Sequence, residues 1–394
     1  MTATAQDIDP DTLLARARAM VPALADLAPA GDRERRLPDA AVALMREAGF
    51  FRILQPRRYG GWEMAPAVFN EVQATLAKAD MSAGWVHGVV GVLAFHLALL
   101  DDRAQAEVWG DDPSTLIASS YMPRGRAVPV EGGYRLSGRW GFASGVDHCG
   151  WAFLGGIVEG DGSGPPDARA FLVPRADLRV LDTWRVTGLK GTGSHDVVVE
   201  DAFVPEYRTH RNADRFHGRN PGTAVNTGPL YRVPLPQLLF RAISSSSIGA
   251  LRHLLDAFVE YNGPRVSVMG TAVARDPVAQ LACAEAAAGI DEMTALLRRN
   301  FDRLMDHARR GGQAPIRDRQ VYRLHATMVP ERCCALAQRL FKASGASALS
   351  EDRPFGRVLA DLAAARQHAA VQFELHGRAL GAAMLGVGGE DTLL

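Results

Sequence analysis

The hydrophobic period changes twice along this chain, and that change restricts the fold more than any other feature. Up to about residue 113 the apolar side chains recur at helical spacing, and Leu13, Leu14, Ala17, Met20, Val21 and Leu24 mark one inward face. A second helix is expected from Pro38, a good first-turn residue, to Gly49, a good stop. Tyr59-Gly60-Gly61 punctuates the chain before a helical stretch to about Lys78 and an apolar helix over residues 83–100. From Ser114 the pattern shortens: residues 115–122, 127–131 and 134–140 are β-prone, with Gly132-Gly133 as a hairpin turn. Further short strands are expected over 151–158, 169–173, 179–181 and 196–199. Helical stripes then return, first at Leu251, Leu254, Leu255, Phe258 and Val259, next at Ile290, Met293, Leu297, Phe301 and Leu304. Two more helices are expected over 318–343 and 355–380.

Helices, then strands, then helices predict an α+β fold in three parts. These are an N-terminal helical domain over 1–113, a central antiparallel β-barrel domain over 114–236, and a C-terminal helical bundle over 237–394. Within the middle part, residues 206–236 are rich in Arg, His, Asn, Gly and Pro and read as a lid-like loop.

Lys+Arg and Asp+Glu both number 44, so no basic field exists to hold nucleic acid or anionic lipid, and a small neutral substrate fits better. The four cysteines form no C-x-x-C pair, and adjacent Cys333 and Cys334 are a poor disulfide, so reduced core thiols are expected. The first residues lack a basic stretch followed by an apolar one, so no export signal is visible and a cytoplasmic protein is expected. Residues 83–100 imitate a membrane span, with Gly84 and Gly88 at small-xxx-small spacing, but lack basic anchors and are read as a buried helix. There is no G-x-G-x-x-G turn, no Walker pattern and no H-E-x-x-H or Cys/His cluster, so neither a nicotinamide site nor a catalytic metal is expected.

Three stretches together resemble the acyl-CoA dehydrogenase superfamily: residues 47–61 ending in Tyr59-Gly60-Gly61, residues 136–144 ending in Trp140-Gly-Phe-Ala-Ser144, and Gly188-Leu-Lys-Gly-Thr-Gly-Ser194 followed by residues 197–205. A narrower set is similar to the oxygenase components of two-component, flavin-dependent aromatic hydroxylases. It comprises Ala83-Gly-Trp-Val, Ile117-Ala-Ser-Ser-Tyr121, residues 140–148, and His368-Ala-Ala-Val-Gln-Phe373. That resemblance implies reduced flavin (FADH2 or FMNH2) and O2 as co-reactants, and a flavin C4a-hydroperoxide as the oxygen donor. It also implies a small aromatic substrate of phenolic, polyketide or indole type, a separate NAD(P)H-dependent flavin reductase, and a homotetramer.

The resemblance places Trp85, Ser119, Ser120, Trp140 and Ser144 around the flavin ring, with Ser144 near N5. Hydroxyls suit the polar edge of such a ring and indoles its faces. Arg265 stands where the dehydrogenases hold flavin phosphates across a subunit contact, a task that suits a guanidinium fork, and Phe341 and Gly345 stand near the pyrophosphate or adenine. The plainer alternatives are a solvated arginine for Arg265, a buried helix end for Phe341 and Gly345, strand decoration for Ser119 and Ser120, a core residue for Trp140, and, for His368, a buried histidine capping the bundle. His368 falls about where the dehydrogenases carry their glutamate base and is the expected acid-base residue. It either accepts the substrate's proton or holds the peroxide protonated. His87 and His96 are expected as hydrogen-bonded core residues, and Leu93 stands where several phenol hydroxylases have a histidine. Alternatives are an N- or S-oxygenase of the same fold, an acyl-CoA dehydrogenase using Glu374, and a non-catalytic flavin- or phenol-binding protein.

Overall fold

A computed structural model of the chain describes residues 8–160, 164–388 and 394. The N-terminal helices are α1 (Pro10–Glu34), α2 (Asp39–Glu47), α3 (Pro66–Ala79), α4 (Met81–Ala98) and α5 (Asp102–Trp109). Asp9 caps α1 by accepting the Thr12 N–H, and Pro10 opens the first turn. Gly49 ends the α2 region at φ 80°, and a Cβ there would lie 2.2 Å from the Trp62 ring, so only glycine fits. Helix α4 has the length and composition of a membrane span but is enclosed by protein, with only Val89 and Ala94 less than fully buried.

The strands are β1 (Ile117–Val130), β2 (Gly133–Ala143), β3 (Trp151–Val158), β4 (Asp167–Pro174), β5 (Arg179–Leu181), β6 (His195–Pro205) and β7 (Thr209–Arg211). They form one seven-stranded sheet in the order β5-β6-β2-β1-β3-β4-β7. This corrects the expected antiparallel barrel. The central pair β1 and β3 is parallel, with Ile117 opposite Trp151, and the three-residue edge strands β5 and β7 stand at opposite ends of an open sheet. The two β-prone runs before Gly132 are a single strand with an irregularity between Ser120 and Gly125. The hairpin turn at Gly132-Gly133 is as expected, with Val130 opposite Gly133.

Residues 206–236 are more ordered than a loop. They carry β7, α6 (Asn212–His217) and the start of α7 (Leu235–Leu239), and they bury Phe216, Leu230, Tyr231 and Val233. The Tyr231 hydroxyl donates to Leu54 O at 3.3 Å and the Asn226 amide to Ala98 O at 2.8 Å, pinning this strap to the N-terminal helices.

The C-terminal helices are α8 (Arg241–Asn262), α9 (Pro277–Arg309), α10 (Ile316–Ala343), α11 (Pro354–Ala365) and α12 (Phe373–Met384). The single helix expected over 355–380 is broken. His368 leaves the helical region at ψ 133°, and its side chain accepts the Ala370 N–H, starting a new turn in the manner of an N-cap. One apolar core fills the space between the N-terminal helices and the sheet. A second, within the bundle, takes in Trp85 of α4 and Leu189 of the loop before β6. That sharing fixes the sheet, α4 and the bundle around one region.

Candidate active site

The region is built from the start of α4. Asp80 caps that helix by accepting the Ser82 and Ala83 N–H groups at 3.1 and 3.2 Å, and Arg357 of α11 grips the same carboxylate at 2.7 Å. One turn into α4, the buried Trp85 donates its indole N–H to Ser144 Oγ at 3.2 Å. Ser144 lies just past β2 and follows Phe142, whose φ of 63° is strained for a non-glycine residue. The Phe142 ring is 70% exposed and meets Trp184 edge-on at 5.9 Å.

His368 joins the same group, its ring meeting Trp85 edge-on with centroids 5.8 Å apart. Its Nδ1 accepts the Ala370 N–H at 3.0 Å, so the neutral ring carries its proton on Nε2 and presents a donor there. Surrounding protein, and next the Arg323 charge, lower its pKa to about 4. His368 is partly open to water, which tempers that lowering. His368 is therefore neutral near pH 7.

Arg265, Phe341 and Gly345 come together at a second corner. Arg265 donates from Nε to Asn262 Oδ1 at 2.9 Å and from Nη2 to Ala343 O at 3.4 Å, while a Cβ on Gly345 would stand 3.4 Å from Nη1. Phe341 lies one turn before Gly345, near the end of α10. Gly88 of α4 packs on Ala242 at the start of α8, and Asn262 lies at the other end of that helix, roughly 30 Å away at 1.5 Å per residue. The two corners are thus well apart within one chain.

Other expected contacts change. Trp140 is a core residue: it is fully buried, donates its indole N–H to Gly155 O at 2.7 Å, and packs where Gly125 and Gly138 leave room. Ser120 spends its hydroxyl on Gly141 O at 2.8 Å, tying β1 to β2, whereas the half-buried Ser119 makes no side-chain hydrogen bond among the described residues. His87 is a core histidine, bonded to Phe50 O at 3.1 Å and stacked on Phe69. His96 belongs to a buried relay that the sequence did not reveal: Nδ1 meets the Tyr121 hydroxyl at 2.6 Å and Nε2 meets His210 at 3.1 Å, which in turn meets Asn220. Glu374 is exposed in the first turn of α12.

Two more hydroxyls went unnoticed. Ser194 lies 2.7 Å from Ser144, and Thr192 lies 2.7 Å from Ser194. Both are in the Gly188–Ser194 stretch, where two hydroxyls among glycines were the available signal. The donor set suits a flavin: indole and phenyl surfaces stand beside a hydroxyl that keeps a lone pair for the ring's polar edge.

Residues 242–373 match the family model described as acyl-CoA dehydrogenase, C-terminal domain. The crystal structure of the HsaA monooxygenase from Mycobacterium tuberculosis has this fold, with a TM-score of 0.93 at 39% identity over 98% of this chain and 100% of that one. A Streptomyces protein, XiaF, in complex with FADH2 and glycerol, aligns with a TM-score of 0.89 at 28% identity over 98% of this chain and 97% of the other. Fold and site thus define a flavoprotein on the acyl-CoA dehydrogenase scaffold.

In sequence, the oxygenase subunit HsaA of the Mycobacterium tuberculosis flavin-dependent monooxygenase is 40% identical over 367 residues, 93% of each chain. The oxygenase component of an FADH2-dependent resorcinol hydroxylase from a Rhizobium species is 32% identical, over 90% of each. The chain belongs to the family of flavin-dependent monooxygenases, as one of their oxygenase components.

Proposed function

We propose that this oxygenase hydroxylates an electron-rich ring, phenol-like or indole-like, seated between α4 and β1. Trp85, Val89, Leu93 and His96 share one face of α4, and Ser119 and Tyr121 share one face of β1. Val89 is the partly open residue of that helical face, and the unpaired Ser119 hydroxyl is available to a phenolic oxygen. Leu93, where the resemblance puts a histidine in several phenol hydroxylases, is buried and keeps that face apolar. Relatives that use FADH2 favour it over FMNH2.

Bound reduced flavin supplies the electrons with which O2 delivers one oxygen atom to the ring and the other to water. The chain's own residues position, shield and manage protons. Trp85 walls the cleft, Ser144 meets the flavin's polar edge near N5, and Arg265, with Phe341 and Gly345, serves the phosphate end of a flavin held by a neighbouring copy. His368, with Nδ1 occupied, acts as a donor through Nε2, which favours keeping the reacting oxygen protonated over accepting the substrate's proton. The observation that carries this reading is the meeting of His368 and Ser144 on Trp85. The protein works in the cytoplasm as a tetramer beside its reductase. Incubating it with reduced flavin, O2 and a panel of phenols and indoles is expected to give hydroxylated product; quantitative peroxide release with every ring would defeat the proposal.

A further inference from the structure

Behind Trp85 the side-chain hydroxyls form one hydrogen-bonded chain. Trp85 donates to Ser144 at 3.2 Å, the Ser144 and Ser194 hydroxyls are 2.7 Å apart, Ser194 and Thr192 are 2.7 Å apart, and Thr192 donates to Leu189 O at 2.9 Å. An indole N–H only donates, and each hydroxyl has one proton. With the Thr192 proton on Leu189 O, Ser194 must donate to Thr192 and Ser144 to Ser194. Every proton is then used inside the chain, and Ser144 keeps only a lone pair for the cleft. Reversing the order, so that Ser144 donates into the cleft, turns all three hydroxyls round and abandons the Thr192–Leu189 bond.

The far end of the chain is fixed. Leu189 sits at φ 54°, its N–H donates to Asp361 Oδ1 of α11 at 2.6 Å, and its carbonyl also receives the Trp184 indole N–H at 3.0 Å. A Cβ on the preceding Gly188 would lie 2.1 Å from Ala360 O, so the loop is pressed against α11.

We infer that Ser194 and Thr192 are positioning residues that make Ser144 an acceptor toward the cleft, so that the site favours reduced flavin over oxidised flavin. Reduced flavin carries a hydrogen on N5, which an acceptor welcomes. The oxidised ring has only a lone pair there and must either face another lone pair or force the chain to reverse. One hydrogen bond is worth a factor of roughly three to ten in binding. A protein that takes its flavin reduced and returns it oxidised gains capture and release from that bias. The inference rests on the reading that Ser144 meets the flavin near N5.

Anaerobic titration with reduced FAD, and separate titration with oxidised FAD, tests it in the wild type, Thr192→Val, Thr192→Ser, Ser194→Ala and Ser144→Ala. In Thr192→Val and Ser194→Ala a proton is released toward the cleft, so the preference for reduced flavin is expected to shrink by about three- to tenfold. Thr192→Ser is expected to keep it. Ser194→Ala carries the test if Thr192→Val does not fold. Equal weakening for both redox forms, or an unchanged ratio, overturns the inference. Ser144→Ala separates the two levels: if it shifts the ratio while the other variants do not, the chain of hydroxyls is inert. If it leaves both dissociation constants at wild-type values, the placement of Ser144 falls as well.

Discussion

His368 carries the sharpest residue-scale expectations. Its pKa is depressed from 6.5 to about 4, so the folded protein holds the ring neutral, and the associated stability is lost as pH falls from 6.5 through the folded value. A ring-proton NMR titration of the flavin-free protein is expected to give a midpoint well below 6.5; an ordinary midpoint would mean that water governs the ring. His368→Ala is expected to fold and bind reduced flavin but to form product roughly 10² to 10⁴ more slowly, with peroxide released instead. Unchanged rate and yield would make it a structural residue. The local motifs around Trp85, Ser144 and His368 single out three residues that the fold brings together. The sequence left Trp140 open, since a tryptophan in a strand reads alike whether it faces a ligand or fills the space left by Gly125 of β1 and Gly138 of its own strand. Ser194 and Thr192 gain meaning only from tertiary contact with Ser144.

Among the elements, α11 organises the site from behind. Arg357 ties it to Asp32 and to Asp80 at the head of α4, and Asp361 holds Leu189. Burial pushes the Asp361 carboxyl up to about 7, against the lowering effects of Arg357 and the Leu189 N–H. Because this folded value lies above the ordinary 3.8, the stability linked to the neutral acid is complete below 3.8 and is lost as pH rises through 7. Asp361→Asn keeps an acceptor for Leu189 and cannot ionise. Thermal unfolding at roughly pH 5 to 8 is expected to show a decline in the wild type that the variant lacks; parallel curves would show that Asp361 does not titrate in that range. The helices were legible wherever an apolar stripe met a cap. The break after α11 was not, because Ala363-Ala-Ala-Arg-Gln-His368 reads as good helix former, whereas the structure starts a new turn at His368, capped by its bond to Ala370. The open sheet was illegible for a related reason: strand patterns do not state which neighbour each strand chooses, and the parallel β1–β3 pair is a non-local choice.

Over the whole molecule, large apolar side chains stand in water near the second corner, including Val266, Val268 and Met269 beside Arg265 and Val278 and Leu281 at the start of α9. A patch of that kind suits association. Sedimentation is expected to show a tetramer, and a monomer that still binds reduced flavin tightly would refute both the assembly and the role given to Arg265. The chain also lacks a nucleotide-binding fingerprint for a hydride donor, so steady NADH or NADPH oxidation by the purified protein with flavin and substrate would contradict its dependence on a reductase.

The bond between Leu189 and Asp361 joins positions 172 residues apart, and it also orders the moment at which the site comes into being. During synthesis the sheet, α4 and the hydroxyls emerge long before α11 and His368. A half-made chain therefore holds the serines without the Asp361 clamp on Leu189 or the histidine that meets Trp85. The ordered site thus requires the last helices to have docked.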